Sequence, residues 1–217
     1  LKQKPYDPVA DFAPISLLVL VPNVLAVNPQ LPVNNVQELI DLAKKEPLAY
    51  ASSGNGTPLH LSGALFNSMA GTEITHIPYK GSGPALTDVL GNQVPIIFDN
   101  LPSASGHIAS GKLKALGVTT KDRAPSFPDV PAIAETLPGY ETYSWNALFA
   151  PAGTPPEVIA ALNKAAVAAM ADPAVVERMK EFSASIVAST PEALGEHVKA
   201  EMVKWEPVAR EAHVSLD

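Results

Sequence analysis

Cysteine is absent from the 217 residues of this chain. Its absence excludes disulfides, thiolate metal sites and a cysteine nucleophile, and it is compatible with either an oxidising or a reducing compartment. Long apolar runs are also lacking: the longest, residues 15–21, is much shorter than the roughly 20 residues that cross a bilayer. We therefore expect no direct insertion of this chain into a membrane.

Positive charge is scarce and dispersed. The chain carries 15 Lys and Arg against 22 Asp and Glu, for a net charge of -7, and its basic residues form no stripe or cluster. Nucleic-acid binding depends on such a cluster, so we expect no nucleic-acid partner. A small anion remains compatible with an acidic protein, because a few oriented backbone amides are enough to bind it.

Apolar runs alternate with amphipathic segments almost to the end of the chain. This pattern is typical of strands connected by crossover helices, and it predicts an α/β fold with a parallel or mixed sheet. Val, Ile and aromatic residues, which favour strands, are concentrated in the apolar runs. The predicted strands are residues 14–21, 24–28, 49–52, 73–79, 94–99, 113–119, 143–149 and 185–188.

Much of the high proline count marks predicted helix starts. In four places a short polar residue that can cap a helix stands directly before a proline. These residues are Thr57, Thr154, Asp172 and Thr190, the second with Glu157 placed to close a capping box. Asn35 is predicted to cap a further helix that runs to Lys45.

Two other proline positions bear on domain organisation. Pro22 is expected to interrupt what would otherwise be one long strand, and residues 121–140 contain four prolines around one short helical piece. We interpret both as places where the chain passes between lobes. Two such crossings imply that one lobe is inserted within the other.

The most informative segment is a predicted strand that runs into a glycine-containing loop and then into a helix with a Thr cap. Its loop residues are Ser52, Ser53, Gly54, Asn55, Gly56 and Thr57. Glycines allow the backbone to take positive φ or to approach a ligand closely, and the helix start offers unpaired amides at its positive end. The segment therefore predicts an anion-binding site, with a simple polar turn before a helix cap as the alternative.

A second candidate lies where the predicted strand 94–99 ends in Asp99 and Asn100. Open α/β sheets place ligands at such strand ends, so Asp99 is a candidate ligand contact, although the residues alone favour a helix cap or a turn lock. Lys80 follows the preceding strand and either attracts an anion or is solvated. His60 either touches the ligand or is structural, and the residues alone decide neither case.

The motifs of several function classes are missing. The loop is not a Walker motif, a dinucleotide-binding fingerprint or a nucleophile elbow. The five histidines have no metal-ligand spacing, and no Ser, His and Asp set follows a known triad order. We predict no catalytic residues, no metal and no cofactor.

Three motifs, in order along the chain, resemble one protein family. They are Tyr-Ala-Ser-Ser-Gly-Asn-Gly-Thr-Pro at 50–58, His-Ile-Pro-Tyr-Lys-Gly-Ser-Gly-Pro-Ala-Leu-Thr-Asp at 76–88, and Phe-Asp-Asn-Leu-Pro-Ser-Ala at 98–104. Together they are similar to the receptors of tripartite tricarboxylate transporters, also called the Bordetella uptake gene (Bug) family. The resemblance covers the whole chain.

The resemblance implies a type II periplasmic binding protein fold, in which two α/β lobes joined by crossing strands close around a small organic carboxylate. It implies a non-enzymatic receptor in the periplasm that delivers its ligand to a two-component membrane permease. On the family pattern, residues 1–22 and 142–217 form lobe 1 and residues 23–141 form the inserted lobe 2. The implied ligand-binding residues are Ser52, Ser53, Gly54, Asn55, Gly56, Thr57, Asp99 and Asn100.

The chain departs from the family pattern at its start. Relatives carry a further part of lobe 1 before Tyr6, so lobe 1 is expected to be incomplete at its N-terminus. Two other functions remain as alternatives to the receptor: a ligand-sensing effector domain of a regulator with the same fold, and an enzyme that uses Asp99 as a base. Neither a signalling segment nor a nucleophile, metal or cofactor motif accompanies them.

Overall fold

The computed structural model describes residues 6–214. Within this range the chain forms two compact units: the first holds the described residues up to Val21 together with Trp145–Pro207, and the second holds Pro22–Ser144 together with residues 208–214. The sequence predicted lobe boundaries after residues 22 and 141. The first five residues of predicted lobe 1, and residues 215–217, lie outside the described range.

Strands and helices alternate along most of the described chain, and the α/β prediction is confirmed. The strands are β1 (Phe12–Val27), β2 (Ala49–Ser52), β3 (Thr75–Pro78), β4 (Ile96–Asn100), β5 (Lys114–Val118), β6 (Tyr143–Pro151) and β7 (Ser185–Ile186). The helices are α1 (Val36–Ala43), α2 (Pro58–Ala70), α3 (Ser82–Leu90), α4 (Leu101–Ala109), α5 (Pro156–Met170), α6 (Pro173–Glu181) and α7 (Pro191–Glu211).

The sheet of the second unit is mixed, with strand order β3-β2-β4-β1-β5. Strand β2 runs parallel to β3 and β4, whereas β1 runs antiparallel to β4 and β5. The parallel pairs place Ser52 opposite Pro78 and Ala51 opposite Ile97. Because β2, β3 and β4 share one direction, the loops that follow them emerge on the same side of the sheet.

Apolar residues cover both faces of this sheet, because successive side chains of a strand point to opposite faces. In β1, Leu25 belongs to one buried cluster and Val24 to the other. Helices α1 and α2 contribute to the cluster of Leu25, and α3 and α4 to the cluster of Val24. Both faces of β2 and β4 are therefore packed, which holds the ends of these strands in fixed positions.

In the first unit, the N-terminal part of β1 pairs with β6 and with β7, where Val19 lies opposite Ile186. Asn163 fastens α5 to this strand region, because its Nδ2 donates to the backbone oxygens of Ile15 and Ser189, each at 2.8 Å. A single side chain thus satisfies two carbonyl groups and docks a helix on the strands.

Three of the four predicted proline-associated caps are confirmed. Thr57, Asp172 and Thr190 each accept a backbone N–H from the first turn of their helix. The prediction for Thr154 is wrong: α5 begins at Pro156, and the Thr154 hydroxyl donates to the backbone oxygen of Pro151 at 2.7 Å. Its hydroxyl closes the preceding turn instead of capping the helix.

Pro22 does not interrupt the first strand, which runs unbroken as β1. The residue falls between Leu20, which pairs with β7, and Asn23, which pairs with β4. Proline lacks a backbone N–H, and this boundary between two sets of partners tolerates that loss. The proline rule therefore marks a change of pairing partner and not an end of the strand.

The proline-rich segment 121–140 is not a connector between units. It lies wholly within the second unit, carries a short 3-10 helix at Ile133–Glu135, and contributes Ile133 and Tyr140 to the buried core. The Tyr140 hydroxyl donates to the backbone oxygen of Ser62 at 3.0 Å, which ties the segment to α2.

Across residues 6–214, no single helix combines the length and the apolar character needed to cross a membrane. Helices α5 and α6 meet those criteria only when taken together, and they are bent by 67° at the break between them.

Candidate functional site

The loop that follows β2 has the local structure that the sequence predicts. Ser52 ends the strand, and Thr57 caps α2 by accepting the His60 N–H on its Oγ1 at 3.3 Å. The same hydroxyl donates to the backbone oxygen of Gly54 at 2.8 Å. One threonine therefore closes the loop and starts the helix, so the turn has a defined shape.

Both loop glycines take backbone conformations that other residues rarely adopt. Gly54 has φ 140° and Gly56 has φ 70°. A Cβ at Gly54 would also lie 3.2 Å from the backbone oxygen of Tyr79. Glycine is needed at these positions because the backbone turns sharply and passes close to the end of β3.

The amide groups of the loop divide into two sets. The Gly54 N–H donates to Ser52 Oγ at 3.2 Å, and the Gly56 N–H donates to His60 Nδ1 at 3.1 Å. By contrast, the N–H groups of Ser53 and Asn55 have no acceptor within residues 6–214. Side-chain acceptors therefore take the two glycine amides, and the donors that remain available in the loop are those of Ser53 and Asn55.

Two histidines lie directly beneath the loop. The rings of His60 and His76 are stacked, with centroids 3.7 Å apart and planes 10° from parallel. His76 Nε2 lies 2.6 Å from Ser52 Oγ. Burial lowers the pKa of His60, and burial together with the charge of His60 lowers the pKa of His76 to about 4. Both rings are therefore neutral near pH 7.

A cavity of about 560 Å³ is lined in part by the two histidines. Its lining also includes Tyr50, Glu73 and Glu211. None of the eight sequence-predicted ligand-binding residues lines it. Two acidic side chains thus line this cavity, and the candidate ligand-binding groups lie elsewhere.

The loops after β2, β3 and β4 are brought together at one side of the sheet. The Gly81 N–H donates to the backbone oxygen of Ser53 at 3.1 Å, and the Ser82 hydroxyl donates to Asp99 Oδ1 at 2.5 Å. These bonds connect the three strand ends, and they bring both sequence-predicted candidates, the glycine loop and Asp99, into one neighbourhood.

Asp99 is an interior group in this structure, with 1% of its surface exposed. Its Oδ1 accepts from Ser82 and from the Asn100 N–H at 2.9 Å, whereas its Oδ2 has no partner within residues 6–214. Burial raises the pKa of Asp99, and the two hydrogen bonds partly oppose that rise. The bonds observed are those of a turn lock, the alternative that the sequence left open for this residue.

Asn100 belongs to a small polar cluster at the neighbouring position. The Ser144 hydroxyl lies 2.8 Å from Asn100 Oδ1 and 3.1 Å from Asn23 Oδ1. Asn23 pairs with Asn100 across β1 and β4, it is fully buried, and its Nδ2 has no partner in the described part of the chain. The cluster fixes the Asn100 carbonyl group and leaves its Nδ2 as the donor of that side chain.

Sequence reasoning missed four residues of this neighbourhood. They are Asn23, His76, Ser82 and Ser144. Ser82 lies within the motif at 76–88, from which the sequence suggested Lys80 as the candidate. Lys80 is exposed. The alternation of β2, α2 and β3 was the signal that could have placed His76 beside the glycine loop, because a crossover helix joins neighbouring parallel strands.

The described residues contain no group of three or more His, Cys, Asp or Glu side chains that could hold a metal ion. The loop and the end of β4 present backbone N–H groups, hydroxyls and side-chain amides. Such a set binds an anion by hydrogen bonding, with the positive end of α2 adding to the attraction.

Known proteins share the sequence and the architecture of this chain. Residues 1–214 match the family described as tripartite tricarboxylate transporter family receptor. Protein BugT of Bordetella pertussis is 38% identical over 215 residues, which are 98% of this chain and 66% of BugT. A protein of Pseudomonas sp. (strain P51) from the tcbD-tcbE intergenic region is 37% identical, over 98% of this chain and 65% of that protein.

Solved structures agree with these matches. Rpa4515 of R. palustris, determined with adipate, superposes with a TM-score of 0.91 at 39% identity, over 99% of this chain and 73% of its own. MatC of Rhodopseudomonas palustris, with bound malate, superposes with a TM-score of 0.86 at 32% identity, over 94% of this chain and 71% of its own. The periplasmic binding protein BugD superposes with a TM-score of 0.87 at 36% identity, over 97% of this chain and 72% of its own.

The chain belongs to the tripartite tricarboxylate transporter receptor family, the Bug family, and the resemblance found in its sequence is confirmed. Its fold is that of the periplasmic solute-binding proteins of this family. The family consists of substrate-binding receptors, and the chain spans about two thirds of the length of the two relatives compared above.

Proposed function

We propose that this chain is the solute-binding part of a periplasmic receptor that captures a small organic carboxylate and delivers it to a tripartite tricarboxylate-type membrane permease. One observation carries the proposal: the amides of Ser53 and Asn55, in the loop that leads into α2, have no acceptor within residues 6–214, in a fold shared with an adipate-bound and a malate-bound protein. Unpaired backbone amides in such a loop bind small anions by hydrogen bonding.

The loop residues divide the work of binding. Ser53 and Asn55 donate their backbone N–H groups to a carboxylate of the ligand. Gly54 and Gly56 permit the turn, and Ser52 and Thr57 lock it through their hydroxyl groups. A rigid loop favours binding because little conformational entropy is then lost when the ligand arrives.

At the end of β4, the two predicted residues differ in their role. Asn100 offers its Nδ2 to the ligand, since Ser144 engages its Oδ1. Asp99 acts through Ser82, whose hydroxyl it holds at the first residue of α3. Closure of the two predicted lobes around the ligand, with hinges near residues 22 and 142, stays a prediction.

A thermal-unfolding screen tests ligand capture. Adipate and malate are compared with adipamide, which has the length of adipate without its charges. We expect saturable stabilisation by acids and none by adipamide, reaching about 2.7 kcal/mol at a ligand concentration of roughly one hundred times Kd. Equal stabilisation by adipamide, or no response to any small carboxylate, would contradict the proposal.

Delivery to a permease needs a separate measurement, because an effector domain of a regulator would also bind ligand. Membrane vesicles that contain the two-component permease should take up labelled ligand only when the receptor is added. Uptake that does not depend on the receptor would contradict the transport role, but it would not contradict ligand capture.

A further inference from the structure

The stacked histidine pair has no part in the function proposed above, yet it contacts the binding loop directly. His60 accepts the Gly56 N–H, and His76 lies 2.6 Å from the hydroxyl of Ser52. Ser52 in turn accepts the Gly54 N–H. Both glycine amides of the loop are thus held, one directly and one through a serine, by the two histidines.

Acceptance of the Gly56 N–H requires a particular state of His60. The Nδ1 atom accepts a hydrogen bond only when it carries no proton, so the ring must be neutral with its proton on Nε2. In the protonated ring both nitrogens are donors, and Nδ1 would then oppose the Gly56 N–H. His60 is 6% exposed, and its burial disfavours the charged ring.

The stack also explains why the two rings act as a pair. Two imidazolium rings with centroids 3.7 Å apart would repel each other, so a proton on one ring disfavours a proton on the other. The Tyr50 ring packs 5.0 Å from His76, and the Tyr50 hydroxyl donates to the backbone oxygen of His60 at 3.0 Å. The pair is therefore held in place from β2.

We propose that His60 and His76 are positioning residues for the carboxylate loop: as neutral rings they hold the Gly54 and Gly56 amides, so that the Ser53 and Asn55 amides remain available to the ligand. This inference rests on the function proposed above. It also makes ligand affinity sensitive to acid, because protonation of His60 removes the acceptor of the Gly56 N–H.

Other titratable groups around the pair are few. Glu73 precedes β3 and Glu211 ends α7, and both line the cavity beside the rings together with Tyr50. Glu211 Oε2 accepts from the Ser68 hydroxyl at 2.9 Å, and burial raises the pKa of Tyr50, which stays neutral. The carboxylates favour a protonated ring, but burial dominates, since the pKa of each histidine is lowered.

Matched variants separate positioning from general packing. In His60→Asn, the side-chain oxygen can occupy the place of Nδ1, so an acceptor for Gly56 is retained without a titratable group. In His60→Leu, the bulk is retained and the acceptor is lost. His76→Gln and His76→Leu form the equivalent pair, because the end of a glutamine side chain reaches the position of Nε2.

Calorimetry with adipate at pH 7.5 and amide hydrogen exchange at Gly56 are measured on the full chain. We expect His60→Leu to weaken binding by about fivefold to tenfold, as for one lost hydrogen bond, and to speed Gly56 exchange. His60→Asn should match the wild type in both. If His60→Leu left affinity and exchange unchanged, or if His60→Asn lost as much as His60→Leu, the proposal would be overturned.

The pH profile is the readout that a merely structural role would not move. As the pH falls from 7 towards 4, the affinity of the wild type should fall relative to that of the double variant His60→Asn/His76→Gln, and this ratio cancels titration of the ligand. A constant ratio would overturn the proposal.

Failure of the underlying function remains distinguishable. If the wild type binds no carboxylate, the proposed function fails, but the exchange rate of the Gly56 amide still tests the positioning role. Slow exchange in the wild type and in His60→Asn, with fast exchange in His60→Leu, supports that role. Equal exchange rates in all three overturn it.

Discussion

The loop after β2 and Asp99 near the end of β4 are neighbours in the second unit, but they present opposite kinds of group. The loop keeps two amides, of Ser53 and Asn55, without internal acceptors. The strand end buries Asp99, whose one bonded oxygen is taken by Ser82 and by the Asn100 N–H. The loop therefore offers hydrogen-bond donors, whereas the bonded oxygen of Asp99 accepts only from groups of the protein itself.

The difference between the loop and Asp99 indicates which groups contribute to the binding energy of an anionic ligand. A buried carboxylate repels an anion, and only hydrogen-bond donors or positive charge attract one. The donors of the loop lie in the turn that leads into α2. We therefore assign the binding of the carboxylate to the loop, and to Asp99 the role of holding Ser82 at the start of α3.

The largest expected effect comes from distorting the loop with Gly54→Val. Valine at φ 140° is strained, and its Cβ would lie 3.2 Å from the Tyr79 oxygen. Strain of this kind costs about 1–3 kcal/mol, so carboxylate affinity should fall roughly 10- to 100-fold in calorimetry. Gly106→Val is the control, because an added Cβ there would have no atom within 4 Å apart from its chain neighbours and the nearby backbone of α4. Unchanged affinity in Gly54→Val would break the comparison.

A smaller effect on binding, with a clear pH signature in stability, is expected for Asp99→Asn. Affinity should change by less than about threefold, because Asp99 does not bind the ligand directly. Since burial raises the pKa of Asp99, the folded state holds its proton more tightly, and that stabilisation is lost as the pH rises from the ordinary pKa of 3.8 through the raised value.

The free energy of unfolding of Asp99→Asn, minus that of the wild type, should therefore increase with pH across this window and level off above it. Urea unfolding at a series of pH values measures it. A difference that is constant with pH would contradict the raised pKa of Asp99. A tenfold loss of affinity would show that Asp99 contacts the ligand.

The smallest effect is expected for Lys80→Ala. This side chain is exposed beside the loop after β3, and an exposed charge in water contributes little. Carboxylate affinity should change by less than about twofold in the same titration. A tenfold loss would show that Lys80 joins the amides as a second source of attraction.

Much of the second unit was predictable, because local rules and tertiary packing agree there. The strand 49–52 was placed at its observed ends, and Thr57 was recognised as a helix cap. Capping and glycine conformation depend on a few neighbouring residues, so a sequence shows them directly. The position of the loop in the fold follows from the same signals.

Features that depend on distant partners were missed. Pro22 follows the local rule for a strand break, but its strand persists because the pairing partners change at that point. His60 lies in α2 and His76 in β3, 16 positions apart, and their rings stack because the helix packs against that strand. The capture of the glycine amides by side chains was invisible for the same reason.

The central claim is that the Ser53 and Asn55 amides bind the ligand carboxylate. A nuclear magnetic resonance titration of the backbone amides with adipate, and with adipamide in parallel, tests it most directly. The account predicts saturable shifts of the Ser53 and Asn55 signals with adipate alone, and at most small shifts at Asp99. Saturable binding of adipate that leaves Ser53 and Asn55 unshifted would contradict it.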